Sequence, residues 1–384
     1  MTDPMSSGSR AHVALRTSEP TSFGYGFISG LLSAILGIAS CGVVLSLRFP
    51  EHLALADLRP LHASPYLRAG IHVTLVGSFL LGSLSAVLRA NKALALTGIG
   101  FTLAAALLGG SRVAVAGGLD GPESWLALDF FVLNLLLYSA VFVPLERLFA
   151  LRAAQPVFRR QWPIDLTYFF INSLLIEVLT VLTLKPAVIL FAWARVAWVS
   201  EAVASLPTVA QVPLIVLVAD FTQYWVHRTF HTVPWLWPFH AIHHSAEEMD
   251  WLAGSRLHLV DVILTRGLTY VPIFVLGFST TSLMVYVFLV AAQATFIHAN
   301  VRWQFRSVRA LIATPAFHHW HHSADREAVD RNFSVHTPVW DLLFGTYYLP
   351  DRWPTRYGLS GGRAVPPGWM RQLLYPITRL PPED

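Results

Sequence analysis

The sequence predicts an all-α, polytopic integral membrane protein, and three observations carry that prediction. Of its 384 residues, 54% are hydrophobic and only 13% are charged, whereas a soluble globular domain carries about a quarter charged residues. Uncharged runs recur at about the 20 residues that cross a hydrocarbon core roughly 30 Å thick at 1.5 Å per residue. The Lys and Arg lie between those runs, as basic loop ends do in membrane proteins. A water-soluble enzyme is thereby excluded, and the scattered charge, net +4, points to no nucleic-acid partner.

Residues 1–20 are polar and irregular and read as a disordered tail. The apolar run after them lacks a small-residue cleavage site, which predicts an uncleaved membrane segment and no signal peptide. Runs 21–47, 69–88 and 93–111 contain no Asp, Glu, Lys or Arg and read as three spanning helices. Run 124–145 is a fourth, with Asp129 close enough to its end to reach the headgroups. Run 166–184 is a fifth, with Glu177 inside it; an ionisable residue there is costly and usually faces the protein interior or water. Run 209–218 is short. Run 267–297 is uncharged but interrupted by Gly277-Phe-Ser-Thr-Thr-Ser282, which predicts a helical hairpin dipping into or crossing the membrane. Gly361-Gly362 and the prolines after Val365 mark a loop-rich end. The chain thus divides into a tail (1–20), N-terminal membrane helices (21–207), a histidine-rich region (208–350) and a loop-rich tail (351–384).

Counted from a cytoplasmic N-terminus, Arg89 with Lys92, and Arg147, Arg152, Arg159 and Arg160, fall inside, while Arg48, Arg59, Arg68 and Arg112 fall outside. This positive-inside bias puts the segment after Asp220 on the cytoplasmic face. The single cysteine, Cys41, excludes an intramolecular disulfide framework, thiolate zinc modules and cysteine-ligated iron–sulfur clusters. Any bound metal is held by nitrogen or oxygen.

Twelve of the sixteen histidines fall between His227 and His336, most of them in three clusters. These are His227-Arg-Thr-Phe-His231, His240-Ala-Ile-His243-His244 and His318-His319-Trp-His321-His322. On a helix, positions i, i+3 and i+4 share one face. His227 and His231 therefore point together, as do His240, His243 and His244, and as do His318, His321 and His322, with His319 left beyond the edge of that arc. Eight aligned imidazoles exceed the three or four that one zinc ion uses, so two metals are implied. Nitrogen donors suit iron, zinc and copper alike, and a membrane redox site favours iron. Left unmetallated, so many converging rings would strand buried donors and acceptors. His12, His52, His62 and His72 read as ordinary hydrogen-bonded residues, and His336 as structural. Asp220, seven residues before His227, faces the same side at nearly two helical turns; it is either a hydrogen-bond partner of a ring N–H or an ordinary helix-end acid.

The boxes HxxxH, HxxHH and HxxHH, with Asp220 ahead of them and Trp340-Asp-Leu-Leu-Phe-Gly-Thr-Tyr347 behind, resemble the fatty acid hydroxylase / sterol desaturase superfamily of membrane di-iron oxygenases over residues 208–350. Phe296-Ile-His298-Ala-Asn300, Thr314-Pro315 and Asn332-Phe333 look most like the sterol-desaturase and alkylglycerol-monooxygenase branch. The resemblance implies His298 as a ninth ligand and Asn332, Asp341 and Arg228 as supporting or fold-stabilising residues. Sphingolipid-type hydroxylases have a further histidine where Val301, Arg302 and Trp303 stand, so the ligand shell here differs or borrows His258, whose other reading is a cap or headgroup contact.

The same resemblance implies a catalytic domain at 208–350 that hydroxylates or desaturates a lipid: a sterol, fatty acyl, ether lipid or carotenoid. It implies two iron ions, which zinc can replace on purification, O2 as co-substrate, and electrons from a separate ferredoxin, cytochrome or flavoprotein. The lipid would be lined by Phe221, Tyr224, Trp225 and the 267–297 hairpin. Two other readings stand beside it. A histidine-rich metal transporter or metal-binding protein fits less well, because the boxes lie in relatively polar segments. A bis-histidine haem protein would leave most of the imidazoles unexplained.

Overall fold

The computed structural model describes residues 24–115, 126–362 and 364–378. The expected 1–20 tail, and the first residues of runs 21–47 and 124–145, lie outside these. Among the described residues there are helices and no strands, only two isolated bridges, Ala150 to Val301 and Ser323 to Tyr357. Seven helices are long and apolar enough to cross a membrane: Phe27–Arg48, Pro65–Leu88, Ala93–Arg112, Leu128–Leu148, Ile176–Ala194, Thr208–Thr232 and Leu259–Leu276. The protein is a multi-pass integral membrane protein. It packs as two units, one ending at Ala140 and taking in Ser173–Glu177, the other made of Val141–Asn172 and Val178 onward.

In the first unit, α1 (Phe27–Arg48), α2 (Pro65–Leu88) and α3 (Ala93–Leu107) meet along small residues. Lipid tails are as apolar as leucine, so such helices associate through close backbone packing and interhelical hydrogen bonds. Ser33 Oγ donates to the Ser78 carbonyl at 2.7 Å, and Ser78 Oγ donates back to the Ser33 carbonyl at 2.8 Å. A Cβ on Gly98 would stand 2.0 Å from Ser33 Oγ. Asp129, in the first turn of α4 (Leu128–Leu148), is 8% exposed and accepts the Leu55 N–H at 3.0 and 3.1 Å.

The second unit departs from the expected spans at one place. Run 166–184 is broken at Leu175 into α5 (Trp162–Leu174) and α6 (Ile176–Phe191). Asp165, in the first turn of α5, is buried against Arg159 and Arg256, so α5 starts inside protein. Lys185 is exposed, and a lysine stem of that kind can run along apolar surface to water, which lets α6 continue past it. Glu146, at the end of α4, accepts the N–H groups of Trp251 (2.7 Å) and Asn300 (3.0 Å), and Asn300 Oδ1 accepts the Arg152 N–H at 2.9 Å. These bonds draw 141–172 into the histidine-bearing unit, well before residue 208.

After α7 (Ala197–Ser205), the short run 209–218 continues as α8 (Thr208–Thr232) through Asp220 to the first histidine box. Helix α9 (Trp237–His244) carries the second box. The expected hairpin is α10 (Leu259–Leu276) and α11 (Thr280–Phe296). Gly277, at φ 74°, closes α10, and the Ser279 hydroxyl caps α11 by accepting the Ser282 N–H. Thr314 caps α12 (Pro315–His321), and α13 (Val339–Phe344) follows. The end expected to be loop-rich contains α14 (Trp369–Thr378).

Candidate metal centre

The end of α8, all of α9, the residues after α11 and α12 bring nine histidines together. One group is His227, His231, His240, His244 and His321; the other is His243, His298, His318 and His322. Within each group one nitrogen per residue lies within 4.8 Å of all the others. The groups adjoin, because α9 and α12 each contribute to both: the His244 and His322 rings stack with centroids 4.5 Å apart.

The outward nitrogens fix the tautomers, as inferred from their partners. His227 Nδ1 donates to the Phe333 carbonyl (2.7 Å) and His240 Nδ1 to Asp261 Oδ2 (2.7 Å). In the second group His298 Nδ1 donates to the Ala294 carbonyl (2.6 Å) and His243 Nδ1 to the Arg256 carbonyl (3.2 Å). A neutral imidazole has one proton, so all four Nε2 atoms are bare lone pairs. Yet His227 Nε2 faces His240 Nε2 at 2.9 Å, and His243 Nε2 faces His298 Nε2 at 3.3 Å. Two lone pairs at that distance repel unless a cation lies between them.

In the second group a proton does not serve that purpose. Burial first, and then the neighbouring imidazoles, hold His243, His244, His318, His321 and His322 well below the usual imidazole range. The buried Nε2 atoms of His231, His244 and His321 have no hydrogen-bond partner. Metal–imidazole bonds of about 2.0–2.1 Å put neighbouring donor nitrogens about 2.8–3.4 Å apart, from right-angled to tetrahedral arrangements, and the spacings above fall in that range. The donor set fits two divalent cations.

The segment after the third box supplies much of the scaffold. Asp330 and Asn332 adopt positive φ (58° and 59°). That turn aims Asp330 Oδ1 at His231 Nδ1 (3.3 Å), the Arg331 carbonyl at His321 Nδ1 (2.8 Å) and the Phe333 carbonyl at His227. Asn332 holds the turn by donating to the carbonyls of Phe317 (2.9 Å) and Tyr348 (2.7 Å). Asp341 accepts the N–H groups of Phe333 (2.8 Å) and Ser334 (2.9 Å). Both residues therefore act on the imidazoles through backbone.

Asp220 is neither of the two things expected of it. Its carboxylate accepts the N–H groups of Val335 (2.9 Å), His336 (3.0 Å) and Thr337 (2.8 Å), not an imidazole. Arg228 donates to the Tyr224 hydroxyl at 3.1 Å. His258 is a cap: its Nδ1 accepts the Val260 N–H and its Nε2 meets the Leu373 carbonyl, both at 3.0 Å. His319 has both ring nitrogens engaged, with the Tyr357 hydroxyl (2.8 Å) and the Ala299 carbonyl (3.1 Å). Neither ring belongs to either group.

Asp261, Asp330 and Gly254 were not foreseen as parts of the centre. The signal for Asp261 was an acid within an otherwise apolar helical run. Gly254 gave none: only the structure reveals that a Cβ there would stand 2.8 Å from His298 Nδ1.

An apolar groove of about 640 Å³ is lined by Phe191, Leu217, Phe221, Trp225, Leu268 and Trp340, among others. Phe221 and Trp225 thus line a groove together with Leu268, Val271 and Pro272 of the expected hairpin, and no histidine is among its lining residues. At about 100° per residue, Trp225 points about 160° and 120° away from His227 and His231, and Phe221 about 120° and 80°. Tyr224 faces inward, with its hydroxyl 3.0 Å from Thr346 Oγ1.

Residues 212–346 match the family described as Fatty acid hydroxylase, which bears out the resemblance drawn from the histidine boxes. Ornithine lipid hydroxylase OlsE of Rhizobium tropici is 32% identical over 177 residues, 45% of this chain and 52% of that protein. Alkylglycerol monooxygenase of Homo sapiens is 29% identical over 141 residues, 37% of this chain and 31% of its own. Methylsterol monooxygenase 1-2 of Arabidopsis thaliana is 26% identical over 140 residues, 36% of this chain and 46% of its own. The matches thus span about half the length of these relatives, or less. No solved structure matches the chain.

Proposed function

We propose that the chain is a membrane di-iron oxygenase that hydroxylates or desaturates a lipid, with O2 as co-substrate and electrons from a separate ferredoxin, cytochrome or flavoprotein. The observation that carries this reading is the pair of opposed bare nitrogens, one in each histidine group, at 2.9 and 3.3 Å. The ligands are His227, His231, His240, His244 and His321 at one position and His243, His298, His318 and His322 at the other. The names of the relatives, all lipid hydroxylases or monooxygenases, support the substrate class. The basic loops support a cytoplasmic position for the boxes.

Iron bound there would supply O2 activation and oxidation of an unactivated C–H bond, chemistry no side chain provides. The chain's own part is to hold and shield. Burial keeps His243, His244, His318, His321 and His322 neutral, so their lone pairs remain available. Asp261, Asp330 and the carbonyls of Arg331 and Phe333 fix the ring orientations. Trp237 and Phe333 pack against His231 with ring centroids 5.0 and 5.1 Å away, keeping water from that edge.

The test compares lipid extracts of cells with and without the chain by mass spectrometry, beside metal analysis of the purified protein. About two metal ions per chain are expected, iron in the active form and zinc in part after purification. A lipid that gains an oxygen atom or loses two hydrogens, only in the presence of O2 and a reductant, is the expected product. An unchanged lipid profile, together with cation uptake by vesicles carrying the chain, would return it to metal transport.

A further inference from the structure

We propose that the two metal positions are unequal, and that Asp261 and Asp330 make the five-histidine position the tighter one, filled first and emptied last. This rests on the two-metal reading above. The inequality lies behind the ligands. In the five-histidine group, His240 Nδ1 meets Asp261 Oδ2 at 2.7 Å and His231 Nδ1 meets Asp330 Oδ1 at 3.3 Å. Asp261 is 4% exposed, and its other oxygen accepts the Thr265 hydroxyl at 3.0 Å.

The four-histidine group has no carboxylate behind it. His298 and His243 donate to backbone carbonyls, and the buried Nδ1 atoms of His318 and His322 have no partner. Two of its four rings are therefore oriented by packing alone.

A carboxylate accepting the Nδ1–H pushes electron density onto Nε2 and makes it the stronger donor, whereas a neutral carbonyl does so less. The negative charge of buried Asp261 attracts a divalent cation with little screening, while Asp330, 53% exposed, adds less. Such partners change metal affinity about 10- to 100-fold. The five-histidine position combines one more ligand with two carboxylates. Asp261 and Asp330 are positioning residues: they act through His240 and His231.

The experiment loads the full-length protein in lipid nanodiscs with Co²⁺ and dialyses it against graded chelator, reading residual metal by mass spectrometry and the Co²⁺ absorption bands. The wild-type protein is expected to lose its ions in two steps separated by about tenfold or more in chelator. Asp261→Asn keeps an acceptor for His240 while removing the charge, and should weaken the later-leaving ion about 10- to 100-fold without moving the first. Gly254→Ala, which crowds His298, should cost only the first-leaving ion.

Release of both ions in one step by the wild type overturns the proposal on its own. So does an Asp261→Asn protein in which both steps move equally, which would make Asp261 a general scaffold residue. If Asp261→Asn does not fold, Asp330→Asn, whose carboxylate is 53% exposed, replaces it; a shift of the earlier step alone would overturn the assignment. A wild-type chain that binds no metal sinks the two-metal reading instead.

Discussion

The two units differ in how they join their helices, although each buries charge, the first at Asp129 and Arg59. The first joins helices through hydroxyls and missing side chains: Ser33 and Ser78 exchange hydrogen bonds with each other's carbonyls, and α1 approaches α3 where Gly98 has no Cβ. The second buries formal charge: Arg159 sits between Asp165 and Asp250, which it meets at 2.6 and 2.8 Å, and Arg256 reaches Asp165 at 2.5 Å. Neutral contacts fail one at a time, each costing about 1 kcal/mol. Buried ions fail together, since removing one leaves its partners charged and dry. A frame of that second kind suits a unit that must hold nine lone pairs in place.

The contrast is sharpest at the imidazoles. His244→Ala should lower the metal content by about one ion per chain and abolish lipid oxidation, while His319→Ala should leave the metal content unchanged and cost about 1–3 kcal/mol of stability, for lost hydrogen bonds alone. Metal analysis beside thermal unfolding in detergent checks both. Equal metal loss in the two variants would make His319 a ligand despite its bonds to Tyr357 and Ala299.

Arg159→Ala should come next, at about 3–5 kcal/mol, because Asp165 and Asp250 would remain buried and unpaired. A cost near 1 kcal/mol in a thermal melt would mean that the second unit fails as gently as the first.

Acid should separate the units as well. Burial holds His319 down to about 3 and, with no opposing effect large enough to offset it, His298 to about 4, against about 6.5 for an unfolded imidazole. Below about 6.5 the unfolded chain binds protons that the folded chain refuses, so stability falls with pH through the window down to those folded values. Denaturation of the metal-free protein at pH 5 should need less denaturant than at pH 7. A midpoint independent of pH would contradict the burial of these rings.

The smallest effect belongs to the first unit. Gly98→Ala, with its Cβ 2.0 Å from Ser33 Oγ, should cost about 1–3 kcal/mol, whereas Gly100→Ala, with nothing within 4 Å, should be neutral or slightly stabilising. Equal melting shifts for the pair would remove close packing as the source of cohesion.

What could be read from the sequence followed from local spacing. The helical hairpin announced itself through Gly277 and Ser279, and the boxes through their i, i+3, i+4 pattern. No glycine or proline marks the break at Leu175, and the burial of Asp165 at the start of α5 depends on Arg159 and Arg256, the latter 91 residues away. Of the residues expected to line the lipid, Phe221 and Trp225 do line the apolar groove, while Tyr224 turns inward to Thr346. Asp220 shared the face of His227, yet its actual partners lie more than a hundred residues on. The part played by Asp261 depends on His240, 21 residues earlier in the chain.

The turn at residues 330–334 carries a consequence for the order of events in the cell. His227 Nδ1 has its acceptor, the Phe333 carbonyl, 106 residues further along the chain. At roughly 5–20 residues per second of synthesis, α8 waits about 5 to 20 seconds for the segment that orients its histidines and covers Asp220. On the two-metal reading, the five-histidine position is therefore completed only once residue 333 has been made, and a chain that stops short of it lacks the acceptors that orient His227 and His321.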